Sequence, residues 1–463
     1  MDRIVARGRI NCKLQALMPF SWLLLSGSPM QLTPAKTKPK IARHLPTGRL
    51  LGYRDRDMNT KSQQRVPLKL AIGLGVIGAL GPSAIDMYLS SLPEIARDYD
   101  ASFASVQLTL TFFLLAMGAG QLLFGPVVDA YGRRRPLLVG LVVFILCSLG
   151  AALAPTLATL IALRFVQGLG SALTLVVIMS TVRDVSRGAT ATKLFALLMT
   201  IEGVAPILAP ALGGLIDAYF GWRAVMLTLA IFGVAVLINS WLNLPETLAA
   251  DKREPLRLGA VCRTYLTIGR DRRFLLPTLA VAGVFFFLFA YIGGATLVYQ
   301  QFYGLTPQAF GILFGVTGIA ILCGAMIAGR LVTRLGLNRL TWIGVGCIAL
   351  GALATLAATT TQVGLPGIAA GMALALFGLG IAESTLMSLV MASQERALGS
   401  TAALLGACQL SISSSATPIS AMVLGHGAIA WTALLSLSAL MVCLLTWLSL
   451  PKGGDATFSL AGH

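Results

Sequence analysis

Charge is what this sequence has least of. Only 11% of its 463 residues are Asp, Glu, Lys or Arg, and only three are histidine. A soluble domain carries about 25% charged residues, and a mean hydropathy of +0.82 excludes that class; the bilayer has to be the solvent. The three histidines, His44, His426 and His463, all lie outside the long apolar runs, so no histidine metal set stands within a membrane span. The H-E-x-x-H and G-x-S-x-G patterns are absent, which argues against a membrane-embedded enzyme. No G-x-x-x-x-G-K-[ST] loop is present, which argues against nucleotide as a fuel. Seven cysteines form no C-x-x-C pair; Cys147, Cys323, Cys347, Cys408 and Cys443 sit in apolar runs and read as small buried hydrophobes. No metal and no cofactor is therefore expected.

What charge there is lies unevenly. The net charge is +17, and residues 1–69 supply +11 of it, with 14 Lys/Arg against Asp2, Asp55 and Asp57. That concentration removes the case for a nucleic-acid partner. Scattered Pro, Gly and Lys make residues 1–65 a basic, disordered extension. Two readings stay open for it: a tether to an anionic leaflet, at about 1 kcal/mol per basic residue, or codons upstream of a start at Met58. The apolar stretch from Leu17 to Leu25 is too brief to span and contains Pro19.

From Leu68 onward apolar runs alternate with short polar punctuation. A spanning helix needs about 20 mostly apolar residues, because its backbone must satisfy itself where no water reaches. Spans are predicted near 68–93, 105–128, 137–155, 157–180, 194–217, 223–243, 274–300, 308–332, 340–360, 365–390, 398–424 and 429–450. Arginines and lysines collect in alternate loops: Arg133, Arg134 and Arg135 after span 2, Arg183, Arg187 and Lys193 after span 4, Arg334 and Arg339 after span 8. The loops after spans 3, 7, 9 and 11 have none, which puts both termini in the cytoplasm. The longest link, residues 245–273, is polar and divides the spans six and six. Gly125-Pro-Val-Val-Asp129-Ala-Tyr-Gly132 realigns, after a shift of 204 residues, with Gly329-Arg-Leu-Val-Thr333-Arg-Leu-Gly336. The expected fold is an all-α membrane protein of twelve transmembrane helices in two six-helix bundles, residues 66–244 and 274–450, joined by the 245–273 linker and followed by a tail, 451–463.

Several short patterns then fall in register along residues 68–450: Asp86-Met87-Tyr88 in span 1, Gly118-Ala-Gly-Gln121 in span 2, Gly125 to Arg134 between spans 2 and 3, Arg164-Phe-Val-Gln167-Gly168-Leu-Gly170 in span 4, and Pro206, Pro210, Gly213 and Gly214 in span 5. Gly221-Trp222-Arg223 and Leu244-Pro245-Glu246-Thr247 follow. Together they resemble the major facilitator superfamily, and within it the drug:proton antiporters of the bicyclomycin and chloramphenicol resistance group. The resemblance implies a monomeric exporter of small drug-like molecules in the bacterial inner membrane, driven by the proton gradient. It also implies that Gly125, Asp129, Gly132, Arg133 and Arg134 form a gating motif, and that the Pro and Gly set of span 5 is the antiporter motif. The chain departs from the pattern at Ala130, where a basic residue is usual, and at Met179-Ser180.

Ionisable groups inside a span mark function by default, because an unpaired charge there costs several kcal/mol. Asp86, Arg164, Glu202 and Glu383 are the candidates. At 1.5 Å per residue, Asp86 and Arg164 reach similar depths from the outer face and can pair. Asp86 is then a proton or substrate site, or a static partner of Arg164. Glu202 and Glu383 bind a cationic drug, relay the proton, or snorkel to the interface. Tyr88, Tyr291, Gln167 and Glu383 are the residues expected to line the substrate cavity. The span 5 Pro and Gly set either packs closely, with Gly311, Gly315, Gly318 and Gly324 of span 8 as partner face, or bends to seal the bundle. A metabolite exporter or symporter on the same fold is the rival reading.

Overall fold

The computed structural model describes residues 67–186, 188–253, 255–256, 258–394 and 398–450. The basic extension with Met58 and the 451–463 tail lie outside the described residues. Everything described is helical or connects helices. The first pass is broken into α1 (Leu68–Gly78), α2 (Leu80–Asp86), a 3₁₀ turn (Leu89–Ser91) and α3 (Leu92–Asp98). Proline accounts for both ends of that break: Pro82 has no N–H to give the carbonyl at position 78, and Pro93 starts α3. Next come α4 (Phe103–Tyr131), α5 (Arg134–Ala152) and α6 (Leu157–Val185).

Helix α7 (Gly188–Asn243) runs 56 residues with one non-helical position, Gly221. Spans 5 and 6, expected as two, are thus two arms joined at a single residue. A short helix α8 (Leu258–Arg270) occupies the 245–273 segment, where the sequence showed only a polar connector. It is amphipathic: Ile268 is buried and the Tyr265 hydroxyl donates to Leu122 O on α4, while Arg263 and Leu266 stay exposed. Seven further helices follow among the described residues: α9 (Arg272–Leu297), running into a π turn at Val298–Phe302, then α10 (Pro307–Leu335), α11 (Leu337–Thr360), α12 (Leu365–Ala392), α13 (Leu398–Ser414), α14 (Ala416–Leu424) and α15 (Ala428–Ser449).

Among the described residues, ten helical stretches are long and apolar enough to cross a membrane. The difference from twelve has two sources. Spans 5 and 6 count once, and the span expected over 398–424, broken at Ser415 between α13 and α14, is made less apolar by Gln409 and its run of serines. Pro418 cannot donate to the carbonyl at 414, and the hydroxyls of Ser413, Ser414 and Ser415 instead take carbonyls one turn back, which competes with the ladder.

Helix α4 packs against α6 and α13, α7 against α10, and α11 against α12. The α7–α10 contact is backbone on backbone. A Cβ on Gly311 would stand 2.2 Å from Pro210 O, one on Gly315 2.4 Å from Ile207 O, and one on Gly214 2.2 Å from Pro307 O. Small residues at these positions are a steric requirement. Gly318 continues this face beside Pro206, but Gly324 has rotated off it and lies on Phe377 O of α12. Gly213 faces Met87 O of the first pass.

Candidate functional site

Arg164 is fully buried on α6. It donates Nη1 to Gln167 Oε1 at 2.7 Å and Nη2 to Ala84 O at 3.0 Å. Its guanidinium lies 4.2 Å from the Phe113 ring centroid and 4.5 Å from that of Tyr88, so two aromatic faces replace water around the charge. Gln167 passes the chain on, donating Nε2 to Ser148 Oγ at 2.6 Å. Tyr88 is buried and its hydroxyl bonds Thr109 Oγ1 at 2.9 Å. Arg164 Nε has no partner.

Asp86 ends α2 and is 6% exposed. The pairing with Arg164 expected from depth is not made: the arginine reaches α2 through the Ala84 carbonyl. The ion pairs among the described residues are Arg133–Asp129, Arg133–Asp184 and Arg223–Asp98, so neither Asp86 nor Glu383 has a cationic partner. Rotation about each helix axis decides which atoms meet. Glu202 lies on the helical backbone of α7, and its side chain falls outside the described residues.

Gln167, expected to line the cavity, here holds Arg164, with its amide oxygen on the guanidinium and its amide nitrogen on Ser148. Tyr88 and Tyr291 line no open space in this conformation. Tyr291 is wholly buried, stacked 5.6 Å from Phe314 and 6.4 Å from Trp431, with Tyr299 edge-on at 6.4 Å.

Three further groups carry no expected role from the sequence. Asp217, buried on α7, accepts a hydrogen bond from Ser91 Oγ; it falls on the last residue of the span expected over 194–217. Glu94 accepts from Trp222 N at 3.2 Å and Asp98 from Trp222 Nε1 at 2.8 Å, so α3 clasps the Gly221 corner. Gln107 donates Nε2 to Gly293 O of α9 at 2.9 Å, while its Oε1 is buried without a partner.

The other end of the molecule holds two of the three ion pairs, both made by Arg133. Helix α4 stops at Gly132, whose φ of +89° and ψ of 174° are nearly closed to L side chains. Arg133, buried, donates to Asp129 and, at 2.9 Å, through Nε to Asp184 on α6. Glu246 caps the start of α5, accepting from Arg133 N at 2.9 Å and Arg134 N at 3.2 Å, and also from Leu248 N at 3.0 Å. Burial works against that carboxylate, but the three backbone donors and nearby Arg253 outweigh it and hold it below the usual carboxylate range. The sequence placed Asp129, Gly132, Arg133 and Arg134 together; it did not show that Asp184 and Glu246 complete the network.

The Major Facilitator Superfamily model matches residues 74–418. The chain belongs to that superfamily. Its membership makes this a multi-pass membrane transporter. It is 39% identical over 354 residues to the "uncharacterized MFS-type transporter YdgK" of Bacillus subtilis, covering 76% of this chain and 88% of the relative. It is 32% identical over 275 residues to the bicyclomycin resistance protein homolog of Haemophilus influenzae, covering 59% of this chain and 69% of the relative. Among solved superfamily structures, the partially occluded inward-open xylose transporter XylE of E. coli superposes with a TM-score of 0.66 at 17% identity, covering 84% of this chain and 99% of that one. That likeness concerns the fold alone.

Proposed function

We propose that this chain exports small drug-like molecules in exchange for protons, crossing the bacterial inner membrane twelve times with both termini in the cytoplasm. The count takes the two arms of α7 as separate passes and α13 with α14 as one broken pass. The observation that carries the exchange is Asp86: a carboxyl group at the end of a broken helix, nearly buried, with no cation and no protein hydrogen bond among the described residues. Burial disfavours the charged form of such a group unless a partner arrives. A proton or a cationic substrate satisfies it, and one displaces the other. Arg164, two residues from it through Ala84 O and with Nε unpartnered, fixes the local field and does not itself carry the proton. Glu383, without an ion-pair partner, is the second candidate carrier.

The halves on either side of residues 245–273 rock around this point. One proton falling through about 100 mV and one pH unit supplies about 2.3 and 1.4 kcal/mol, enough for several-hundredfold accumulation per proton with no nucleotide. The relative from Haemophilus influenzae, named for bicyclomycin resistance, supports a drug as cargo. The test is accumulation of a drug panel in an efflux-deficient bacterium, with and without a protonophore. Wild type is expected to lower accumulation of at least one compound, and both protonophore and Asp86→Asn to abolish this at equal protein level. Pumping that survives Asp86→Asn moves the proton to Glu383 or Glu202; no exported compound in the panel, with a metabolite moved instead, overturns the drug reading.

A further inference from the structure

Two apolar stripes and three arginines meet at one place. Along α5, Val139, Val142, Leu146 and Leu149 are exposed, and along the second arm of α7 so are Ile231, Val234, Ile238, Trp241 and Leu242. Each set recurs at helical spacing, and in a membrane transporter an apolar stripe without protein cover faces hydrocarbon. Because α5 packs on α7, the stripes adjoin and form a seam in the lipid-facing surface. At the arginine-rich end the seam closes in a groove of about 350 Å³ lined by Arg134, Arg135, Leu138, Trp241, Glu246 and Arg253.

The groove is cationic by construction. Among its described lining residues three arginines stand against one carboxylate, Glu246, which accepts from the backbone N–H groups of Arg133, Arg134 and Leu248 and lies near Arg253. Arg134 is held in place, donating Nη2 to Trp241 O at 2.7 Å with its guanidinium 5.5 Å from the Trp241 ring centroid. Arg134 Nε and Arg253 Nε are both buried and without a partner. Buried donors left unpaired are costly, and guanidinium forks match phosphate oxygens. Trp241, 62% exposed, and Leu242, 73% exposed, supply the wall that a free anion has no use for.

We propose that this groove binds a phosphate group, that of an anionic phospholipid, with the headgroup between Arg134, Arg135 and Arg253 and the acyl chains along the α5–α7 seam. The inference stands apart from what the protein carries. A basic pocket beside an aromatic residue at the membrane interface is the chemistry that retains such lipids. The bound headgroup would tie the start of α5 to the segment after α7, beside the Asp129–Arg133–Asp184 network.

The full chain, purified in detergent, is incubated with phosphatidylglycerol or phosphatidylethanolamine of the same acyl chains, and bound lipid is counted by native mass spectrometry. Wild type is expected to retain phosphatidylglycerol preferentially. The double variant R135Q/R253Q is expected to weaken that binding by about thirtyfold. Equal retention of the two lipids by wild type, or an unchanged preference in the variant, overturns the proposal. Millimolar inorganic phosphate separates the sources: bound phosphatidylglycerol that resists it assigns the site to lipid, and displacement keeps the phosphate chemistry but assigns it to the free anion. If the double variant does not fold, the wild-type comparison of the two lipids decides alone.

Discussion

Helices α4 and α10 are copies in their backbone and opposites in their chemistry. Both are 29 residues long, and both start from a hydroxyl cap, Ser102 accepting from Ser105 N and Thr306 from Ala309 N. Both end at a glycine in the same unusual region, φ +89° at Gly132 and +76° at Gly336. Yet Gly132 is hemmed by Glu246 and Arg253, whereas a Cβ on Gly336 would meet nothing within 4 Å. Where the first copy has Asp129 and Arg133, the second has Thr333 and Leu337. The turn is therefore a requirement of the chain's path between two passes, met by glycine alone. The ions are an addition to one copy, and an asymmetric lock is what a machine with two alternating states can use.

Substitutions can break this comparison in graded steps, each read as thermal unfolding of the purified protein. Arg133→Ala strands Asp129 and Asp184 and is expected to cost about 3 kcal/mol, against about 1 kcal/mol for Leu337→Ala at the matching position. A result with the two equal would mean that the network is ornamental. Gly336→Ala meets backbone strain alone, about 1–3 kcal/mol. Gly132→Ala adds a Cβ 2.5 Å from Glu246 Oε2 and should exceed it by about 1 kcal/mol, the worth of a helix cap. Glu246→Gln should cost about 1 kcal/mol by turning donors toward donors. Its sign with pH is fixed. The folded carboxylate sits below its ordinary value of 4.5, so the contribution is present above that value and fades as pH falls through the lower folded one; the gap between wild type and Glu246→Gln should close in acid. The smallest effect is the transplant: Thr333→Asp with Leu337→Arg, lacking counterparts of Asp184 and Glu246, should gain at most about 0.5 kcal/mol.

How much of this the sequence disclosed follows from dimension. Hydropathy is a one-dimensional quantity, and it located most of the apolar stretches to within a few residues; a repeat is also one-dimensional, and the 204-residue shift lands Phe103 on Pro307 and Tyr131 on Leu335. Rotation about a helix axis is not. Arg164 meeting Ala84 O instead of Asp86, and Gln167 turned to Ser148, are matters of which way a side chain points. Convergence of distant segments is harder still. Glu246 stands 113 positions from Arg133, and nothing in a Leu-Pro-Glu-Thr string says that its carboxylate caps another helix. The break at Ser415 has a local signal, four serines within five positions and Pro418, but mean hydropathy alone smooths over it.

Gly221 has a mechanical meaning. The first arm of α7, residues 188–220, is a rod of about 50 Å without a flexible loop at its end, and its corner is clasped by Glu94 and Asp98 through Trp222. A lever needs a long arm and a fixed fulcrum, and this one has both. A tilt of about 10° at the corner would sweep the far end through about 9 Å, so a displacement small at the clasp would be large at the other end of the arm.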